Sequence, residues 1–355
     1  MRRLRATAIA LVVLGAGLIV GLNAGAASAG HAMKTTGNTP TVPEPSVTTV
    51  TRPTVPASEL PGTGKPIVHL GDGNTPDEFI IGQLYEVALQ NRGYTVVLDR
   101  NASVYSQQFA GLQNGRLDLY PEYLGAWNSW IAGLHRRFAS LRASYRAGAA
   151  YASKHGLVLL PPTPYSYTSC VAVLAQYAAA NHVYSIPELA SEGPIVFGAP
   201  ITFLYQSDGI SALEHGYHLH PGYVQTILDT LQYWWLTSGN VQAAYCKTTD
   251  PLLASPKFVE LQDPKHVFGY GNVVPVTTRR VLRAEGPDFL HTIERVDSLL
   301  TLRAIRGLNA EYELGDHLPT PIAEQFLEGN GIVPRSRYAP VQTTTSANGS
   351  TSPTT

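Results

Sequence analysis

The chain has 355 residues, of which 14% are charged, and its formal net charge at pH 7 is −1. A chain this close to neutral lacks the excess of Lys and Arg that nucleic-acid binding requires, so we expect no nucleic-acid partner. The length suffices for one large or two medium domains once both chain ends are set aside.

The N-terminal residues 1–29 have the pattern of a secretory signal peptide. Three arginines lie within the first five residues, residues 6–22 are almost wholly apolar, and Ala27-Ser28-Ala29 is a small-x-small cleavage site. The apolar run is slightly long for a signal and slightly short for a membrane span of about 20 residues, so an uncleaved anchor is the alternative. We therefore expect an exported protein, either periplasmic or at the cell surface and extracellular.

Two segments of biased composition flank the part that we expect to fold. Residues 30–64 are rich in Thr, Pro, Val and Ser, and residues 341–355 are rich in Thr and Ser. Segments of this kind bury too little apolar surface to offset the entropy lost on ordering. We predict a semi-extended linker, a folded part over residues 65–340, and a disordered tail.

The first third of the folded part alternates predicted strands and helices. Apolar runs predict strands at residues 67–70, 94–98 and 117–120, and helical spacing predicts helices at residues 76–90, 104–113 and 122–134. This β-α-β-α-β order favours a parallel sheet with helices on its faces. Ligands bind beyond the carboxyl ends of such strands, which places residues 71–75 and 120–125 at the expected site.

A second α/β unit is predicted beyond the Pro-rich residues 161–164. Its expected elements are strands at residues 170–174, 195–198 and 241–245 and helices at residues 209–216 and 224–238, and two further helices near residues 288–309 and 320–330 close the chain. The only two cysteines are Cys170, which begins the first of these strands, and Cys246, which directly follows the last. In an exported protein an even pair suggests a disulfide, which we predict between them.

A series of motifs resembles the substrate-binding proteins of glycine betaine/carnitine/choline ABC importers. Residues 119–125 (LYPEYLG) resemble the family's YPEYTG signature, residues 203–209 (FLYQSDG) resemble FxxRxDG, and residues 248–250 (TTD) resemble TTDG. Each motif alone is weak, but the series is specific because it follows the family's order. The remaining likenesses lie at residues 71–81, 263–274, 307–313 and 322–333.

The resemblance implies an α/β type II periplasmic-binding-protein fold, in which two lobes joined by a hinge close on a ligand. The first lobe would comprise residues 65–164 and 251–340, and the second residues 165–250. The implied partners are a small quaternary ammonium ligand and the membrane subunits of an ABC importer. Membrane contact would come through that transporter or through an uncleaved N-terminal anchor. We expect no cofactor and no enzyme activity.

The resemblance also implies a ligand site built from tyrosines. A quaternary ammonium group has no N–H to donate, so ring faces hold it, and each cation–π contact contributes about 0.5 to 2 kcal/mol. Matched position by position, the expected cage residues are Tyr123, Tyr270, Tyr167 (with Tyr165 as the alternative) and Tyr245 (with Lys247 as the alternative).

The resemblance fails where betaine-binding relatives hold the ligand's carboxylate. They use a lysine in the opening motif, a threonine after YPEY and an arginine in FxxRxDG, and these columns here read Gly73, Ala126 and Gln206. Each lost charge-assisted hydrogen bond costs about 1.5 to 3 kcal/mol. We therefore expect a choline-like ligand to be preferred over glycine betaine, with Asp72, Asn74 and Gln206 as polar ligand-binding residues.

Three alternatives stay open at this point. The solute could be a different small polar or cationic compound. An exported enzyme on the same fold is the second, although the chain has no G-x-S-x-G, H-E-x-x-H or Walker pattern. A metal site is the third, because His218 and His220 would share one face of a strand, but no further ligand stands at a recognisable spacing. We favour a binding protein and an exposed loop at these histidines.

Overall fold

The computed structural model describes residues 57–100 and 105–334. The predicted signal peptide, most of the predicted linker and the predicted tail at residues 341–355 lie outside the described residues. Among the helices of these two segments, none has both the length and the apolar character that a membrane span requires.

The described residues form two five-stranded sheets, which confirms the α/β class. Strand order is β2-β1-β3-β10-β4 in the first sheet and β7-β6-β8-β5-β9 in the second, where the strands are β1 Val68–Gly71, β2 Val96–Asp99, β3 Leu119–Tyr123, β4 Leu157–Leu159, β5 Ser169–Leu174, β6 Val196–Ala199, β7 Tyr223–Thr226, β8 Ala243–Lys247, β9 Phe258–Glu260 and β10 Val273–Thr278. In each sheet the first three strands of this order pair in parallel. The fourth strand pairs antiparallel with both the third and the fifth.

Helices cover these sheets, and their starts follow the sequence closely. Helix α1 begins with a capping box, in which Thr75 and Glu78 each bond the other's backbone, and Pro76 occupies the first turn. The helices are α1 Pro76–Asn91, α2 Tyr105–Asn114, α3 Leu124–Ala126, α4 Leu141–Lys154, α5 Ala175–Asn181, α6 Ile186–Ser191, α7 Ile201–Tyr205, α8 Ile210–Tyr217, α9 Gln232–Thr237, α10 Arg279–Glu285, α11 Pro287–Leu299, α12 Leu302–Glu313 and α13 Pro319–Gly329.

Two predicted helices are only partly helical in the structure. The helix expected at residues 122–134 is replaced by the end of β3, the short α3 and a π-helical turn, because the YPEY segment pairs antiparallel with β10 along its whole length. The helix expected at residues 224–238 is instead the edge strand β7 followed by α9. Thr230, with φ of 79°, interrupts the chain between them.

Strand pairing in the second sheet bears on where the second lobe ends. We expected it to end at Asp250, but β9 bonds to β5 of the second sheet. Leu261 and Phe268 also pack into the apolar core of that sheet. We therefore propose that the chain returns to the first lobe near residue 269 rather than at residue 251.

Two crossover segments, residues 160–168 and 269–275, run side by side between the sheets. Their backbones are joined by hydrogen bonds from Leu160 to Pro275, from Thr163 to Val273 and from Tyr167 to Gly271, of 2.8 to 2.9 Å. Gly271 permits the closest approach, since a Cβ there would lie 1.8 Å from the Tyr167 carbonyl oxygen. A side chain at this point would force the two segments apart.

Replacing Gly271 with Ala should lower the free energy of unfolding by about 2 kcal/mol or more, because the added methyl group overlaps a main-chain oxygen that cannot rotate away. Gly307→Ala is the matched control. Gly307 is an exposed position of α12 with no atom near the added Cβ, so Ala should be neutral or stabilise by up to about 1 kcal/mol. Urea denaturation measures both, and equal effects would contradict the steric argument.

Cys170 and Cys246 lie opposite each other on the paired strands β5 and β8 and form a disulfide. Their Cα atoms are 4.9 Å apart, within the range that a disulfide spans. The bond closes a loop over a sequence separation of 76 residues. It therefore links two neighbouring strands of the second sheet that are far apart in the sequence.

Changing both cysteines to Ala should lower the free energy of unfolding by about 2 to 4 kcal/mol, since the unfolded chain regains the entropy that the closed loop removes. Urea denaturation with and without a reductant provides the measurement. The reductant should destabilise the unmodified protein and leave the double variant unchanged. An unmodified protein indifferent to the reductant would contradict this prediction, provided that a thiol assay shows the bond to be reduced.

Candidate ligand-binding site

A cavity of about 530 Å³ lies at the crossovers and is lined by residues of both lobes. Its size is within the range of sites that take small molecules. The first lobe contributes the end of β3 and the segment after it. The second contributes Ser207 and Asp208 before α8, and Lys247 at the end of β8.

Two of the predicted cage tyrosines form a stacked pair in the cavity wall. The rings of Tyr123 and Tyr167 lie 4.4 Å apart at an angle of 19°. The Tyr123 hydroxyl shares a 2.7 Å hydrogen bond with the Thr75 hydroxyl, so the cap of α1 fixes the ring. Burial raises the pKa of Tyr123 well above its usual value, and this tyrosine stays neutral. Tyr165, the alternative to Tyr167, is buried in the core of the first lobe and does not line the cavity.

Tyr270 lines the cavity from the second crossover segment. Its ring lies 5.0 Å from that of His266, and the side chain is half-buried. Phe268, two residues earlier, faces the same cavity. The two crossover segments thus supply Tyr167 and Tyr270 to the cavity wall. The hydrogen bond between the backbones of Tyr167 and Gly271 holds the two segments side by side.

Lys247 and not Tyr245 reaches the cavity at the fourth cage position. Tyr245 is buried behind it and packs 4.9 Å from the ring of Phe203. The Lys247 ammonium lies 4.9 Å above the Tyr167 ring and 5.4 Å above the Tyr245 ring. Burial lowers the pKa of Lys247, and the nearby Asp208 opposes that shift most strongly.

The opening motif supports the site but does not line it. Asp72 is buried, Asn74 is exposed, and neither borders the cavity. Glu78 accepts hydrogen bonds from the backbone N–H of Asn74 and Thr75 at 3.1 and 3.3 Å. At Gly73, where relatives have a lysine, a Cβ would lie 2.0 Å from a Glu78 carboxylate oxygen. A side chain at this position would therefore displace the Glu78 carboxylate.

The remaining two columns of the missing carboxylate clamp differ from each other. Ala126 lines the cavity and carries no polar group. Gln206 is exposed and lies outside the cavity, whereas its neighbours Ser207 and Asp208 border it. Of the polar ligand-binding residues predicted from the sequence, Asp72, Asn74 and Gln206 are therefore all away from the cavity surface.

The TTD motif is a structural joint. The Thr249 hydroxyl and the Asn309 amide both donate to Asp77, at 3.2 and 2.8 Å, and Asn309 also donates to the Thr249 carbonyl oxygen. Burial raises the pKa of Asp77 to about 6. Asp250 accepts from the Tyr233 hydroxyl at 2.8 Å and from the Lys247 backbone N–H at 3.1 Å. The motif thus anchors the chain as it leaves β8.

Several cavity residues were not foreseen from the sequence. Most of them lie in the segment after the YPEY motif, where the π-helical turn Trp127–Ile131 and the loop behind it approach the cleft, and two lie just before Tyr270. Such π-turns are frequent at functional sites. The available signal was the density of aromatic and basic residues there. The unforeseen lining residues are Trp130, His135, Arg136, Arg137, Phe138, His266 and Phe268.

One of the two histidines considered for a metal site, His218, lies at the end of a helix. His218 has a left-handed backbone with φ of 58° and caps the end of α8. Within the described parts of the chain, no group of three His, Cys, Asp or Glu side chains is arranged to hold a metal ion.

Residues 66–329 match the OpuAC family, whose description is "Substrate binding domain of ABC-type glycine betaine transport system". This range covers most of the chain. The chain belongs to this family. Membership confirms the resemblance seen in the motifs and shows that residues 66–329 form a substrate-binding domain.

Solved structures of similar fold agree with the two-lobed architecture. A crystal structure described as a glycine betaine/carnitine/choline ABC transporter is 20% identical, with a TM-score of 0.70, over 76% of this chain and 99% of that chain. Apo YehZ from Escherichia coli is 22% identical, with a TM-score of 0.66, over 75% and 99%. At these identities the likeness shows the fold alone.

A curated relative is the ergothioneine transport permease/ergothioneine binding protein EgtU of Helicobacter pylori (strain G27). It is 21% identical over 272 residues, which make up 76% of this chain and 48% of the relative. The chain therefore spans about half the length of this relative.

Glu78 should make the protein less stable as the pH rises. Burial raises its pKa to about 7 from an ordinary 4.5, so the folded state retains a proton that the unfolded state has lost. The contribution of Glu78 to the free energy of unfolding should be fully present below about pH 4.5 and should be lost as the pH rises from there through 7. Glu78→Gln should reduce this fall, measured by urea denaturation across pH 4 to 8.

The matched control is Glu188→Gln. Glu188 holds the same third position of a capped helix, α6, but it is exposed, and its hydrogen bond from the Tyr184 backbone lowers its pKa. Its contribution has the opposite sign, since stability is lost as the pH falls. An identical pH profile for both variants would contradict the role given to burial.

Proposed function

We propose that this chain captures a small quaternary ammonium compound in the cleft between its lobes and delivers it to the membrane subunits of an ABC importer. The family supports the transport role, because its description names an ABC-type glycine betaine transport system. The predicted signal peptide supports capture outside the cytoplasm, in the periplasm or at the cell surface.

The single observation that carries the ligand class is the aromatic lining of the cavity. Tyr123, Tyr167 and Tyr270 border it from both crossover segments and the end of β3, and Phe268 and Trp130 add further rings. Ring faces attract a cation that has no N–H to donate, by about 0.5 to 2 kcal/mol for each contact. Small solutes recognised by hydrogen bonds alone do not require a wall of this composition.

Opposing observations bear on the polar end of the ligand, which is a hydroxyl in choline and a carboxylate in glycine betaine. Gly73, Ala126 and Gln206 carry no charge at the positions where betaine-binding relatives hold the ligand's carboxylate, which supports a choline-like ligand. Asp208 at the cavity edge supports it as well. However, Lys247 lies in the cavity and supplies a cation from a position outside those three columns. Glycine betaine, from the family description, and ergothioneine, from the Helicobacter relative's name, both combine a quaternary ammonium with a carboxylate. Choline is therefore the second candidate.

Replacing Tyr270 with Ala should weaken binding of both glycine betaine and choline by about 1 to 3 kcal/mol, because the two ligands share the trimethylammonium group. Tyr270→Phe keeps the ring face and should lose much less. Tyr184→Ala is the control, since Tyr184 is an exposed tyrosine of the second lobe away from the cavity. Titration calorimetry measures all three, and a native protein that binds neither ligand would overturn the proposed function.

A further inference from the structure

The cavity contains a positive charge that the family's tyrosine cage does not have. The motif comparison leaves Tyr245 or Lys247 at one cage position, and the structure places the Lys247 ammonium above the rings of Tyr167 and Tyr245, at 4.9 and 5.4 Å. The lysine is the last residue of β8 and borders the cavity.

The lysine uses ring surface that a ligand's ammonium group would otherwise contact. One face of Tyr167 is covered by Tyr123, whose ring is stacked at 4.4 Å. An ammonium above Tyr167 must therefore lie on the opposite face. A trimethylammonium group at the same place would meet a like charge, so the ligand's cation belongs elsewhere in the cavity, for example at Tyr270.

The Lys247 ammonium has no anionic partner in the described part of the chain. Its carboxylate neighbours oppose the fall in its pKa, but none forms an ion pair with it. Asp208 at the cavity edge has the largest effect among them, whereas Asp250 already accepts from Tyr233, Gln232 and the Lys247 backbone. An ammonium that borders the cavity is available to bind an anionic group of the ligand through charge-assisted hydrogen bonds.

Positive charges outnumber negative ones in the cavity wall. Arg136 and Arg137 border the cavity along with Lys247, and Asp208 is the only carboxylate among its lining residues in the described chain. The Arg136 guanidinium lies 4.8 Å above the Phe138 ring. This excess of positive charge favours a ligand with an anionic group.

We propose that Lys247 binds the carboxylate of the ligand and is the residue that selects a betaine-type zwitterion over choline. This inference rests on the proposed function and specifies it. The carboxylate approaches the ammonium between the two lobes, while the trimethylammonium group contacts the aromatic wall near Tyr270. One lysine from the second lobe thereby replaces the three anion-binding columns that read Gly73, Ala126 and Gln206.

The opposing arrangement is that Lys247 swings out and leaves its ring faces to a simple cation. The two arrangements differ in which part of the ligand feels the lysine. Four ligands of nearly equal shape separate them. They are glycine betaine, choline, and the analogues in which a carbon atom replaces the ammonium nitrogen, 3,3-dimethylbutanoate and 3,3-dimethylbutanol. The first pair carries the quaternary ammonium, and betaine and dimethylbutanoate carry the carboxylate.

The experiment is titration calorimetry of these four ligands against the unmodified protein, Lys247→Met and Lys247→Arg. Methionine keeps the length of the side chain and removes its charge, and arginine keeps the charge. Lys257→Met, at an exposed lysine of the same lobe away from the cavity, is the control. Thermal unfolding of each variant checks that it is folded.

The unmodified protein should bind betaine about tenfold or more tightly than choline. Lys247→Met should weaken the binding of betaine by about 10- to 100-fold, which is the effect of losing one charge-assisted hydrogen bond, and should leave choline unchanged or tighter. Lys247→Arg should retain most of the preference, and Lys257→Met should change nothing.

Three outcomes would overturn the inference. They are a native preference for choline, an equal loss of betaine and choline in Lys247→Met, and no loss of either. If dimethylbutanoate binds as well as betaine and both depend on Lys247, the lysine has the inferred role but the quaternary ammonium does not, and the proposed function fails alone. If none of the four ligands binds, both proposals fail.

Discussion

The close contact between the two crossover segments determines the geometry of the whole site. Gly271 has no Cβ, so its backbone lies against the Tyr167 carbonyl, and the Tyr167 N–H donates to the Gly271 oxygen at 2.9 Å. Thr248 joins the same point, because its hydroxyl donates to the Ser166 carbonyl oxygen at 2.6 Å. Since Tyr167 and Tyr270 stand directly beside this contact, the hinge and the aromatic wall are one construction.

A buried polar network supports this junction from the first lobe. Asp77, at the start of α1, is bonded to Thr249 and Asn309, which lie far away in the sequence and are all buried. Disrupting these hydrogen bonds is costly, because it leaves buried polar atoms without a partner. The network explains why the TTD motif and the closing helix α12 can matter to a ligand site that neither of them lines.

The sequence predicted the fold better than the site, for identifiable reasons. Apolar periodicity and motif order found both α/β units, since these patterns reflect burial along a single element. Residues 224–238 were mistaken for a helix because an edge strand such as β7 is half-exposed, and its pairing with β6 is not local. Tyr123 and Tyr270 were found from motifs, whereas Arg136 and Phe138 reach the cavity only through the path of the loop after the π-helical turn. No spacing rule describes such a path.

Lys247 shows how the charge of a predicted site can depend on a position that a motif comparison leaves open. Reading only the three anion-binding columns removes every cation from the predicted site and favours choline. The structure returns one cation through a column that relatives use for an aromatic ring, and it closes the Gly73 column with Glu78. Specificity depends on the sum of the charges that reach the cavity and not on the columns from which they come. A chain that exchanges one cage tyrosine for a lysine gives up one ring face and gains an anion-binding group, so a zwitterion compensates for the exchange and a simple cation does not.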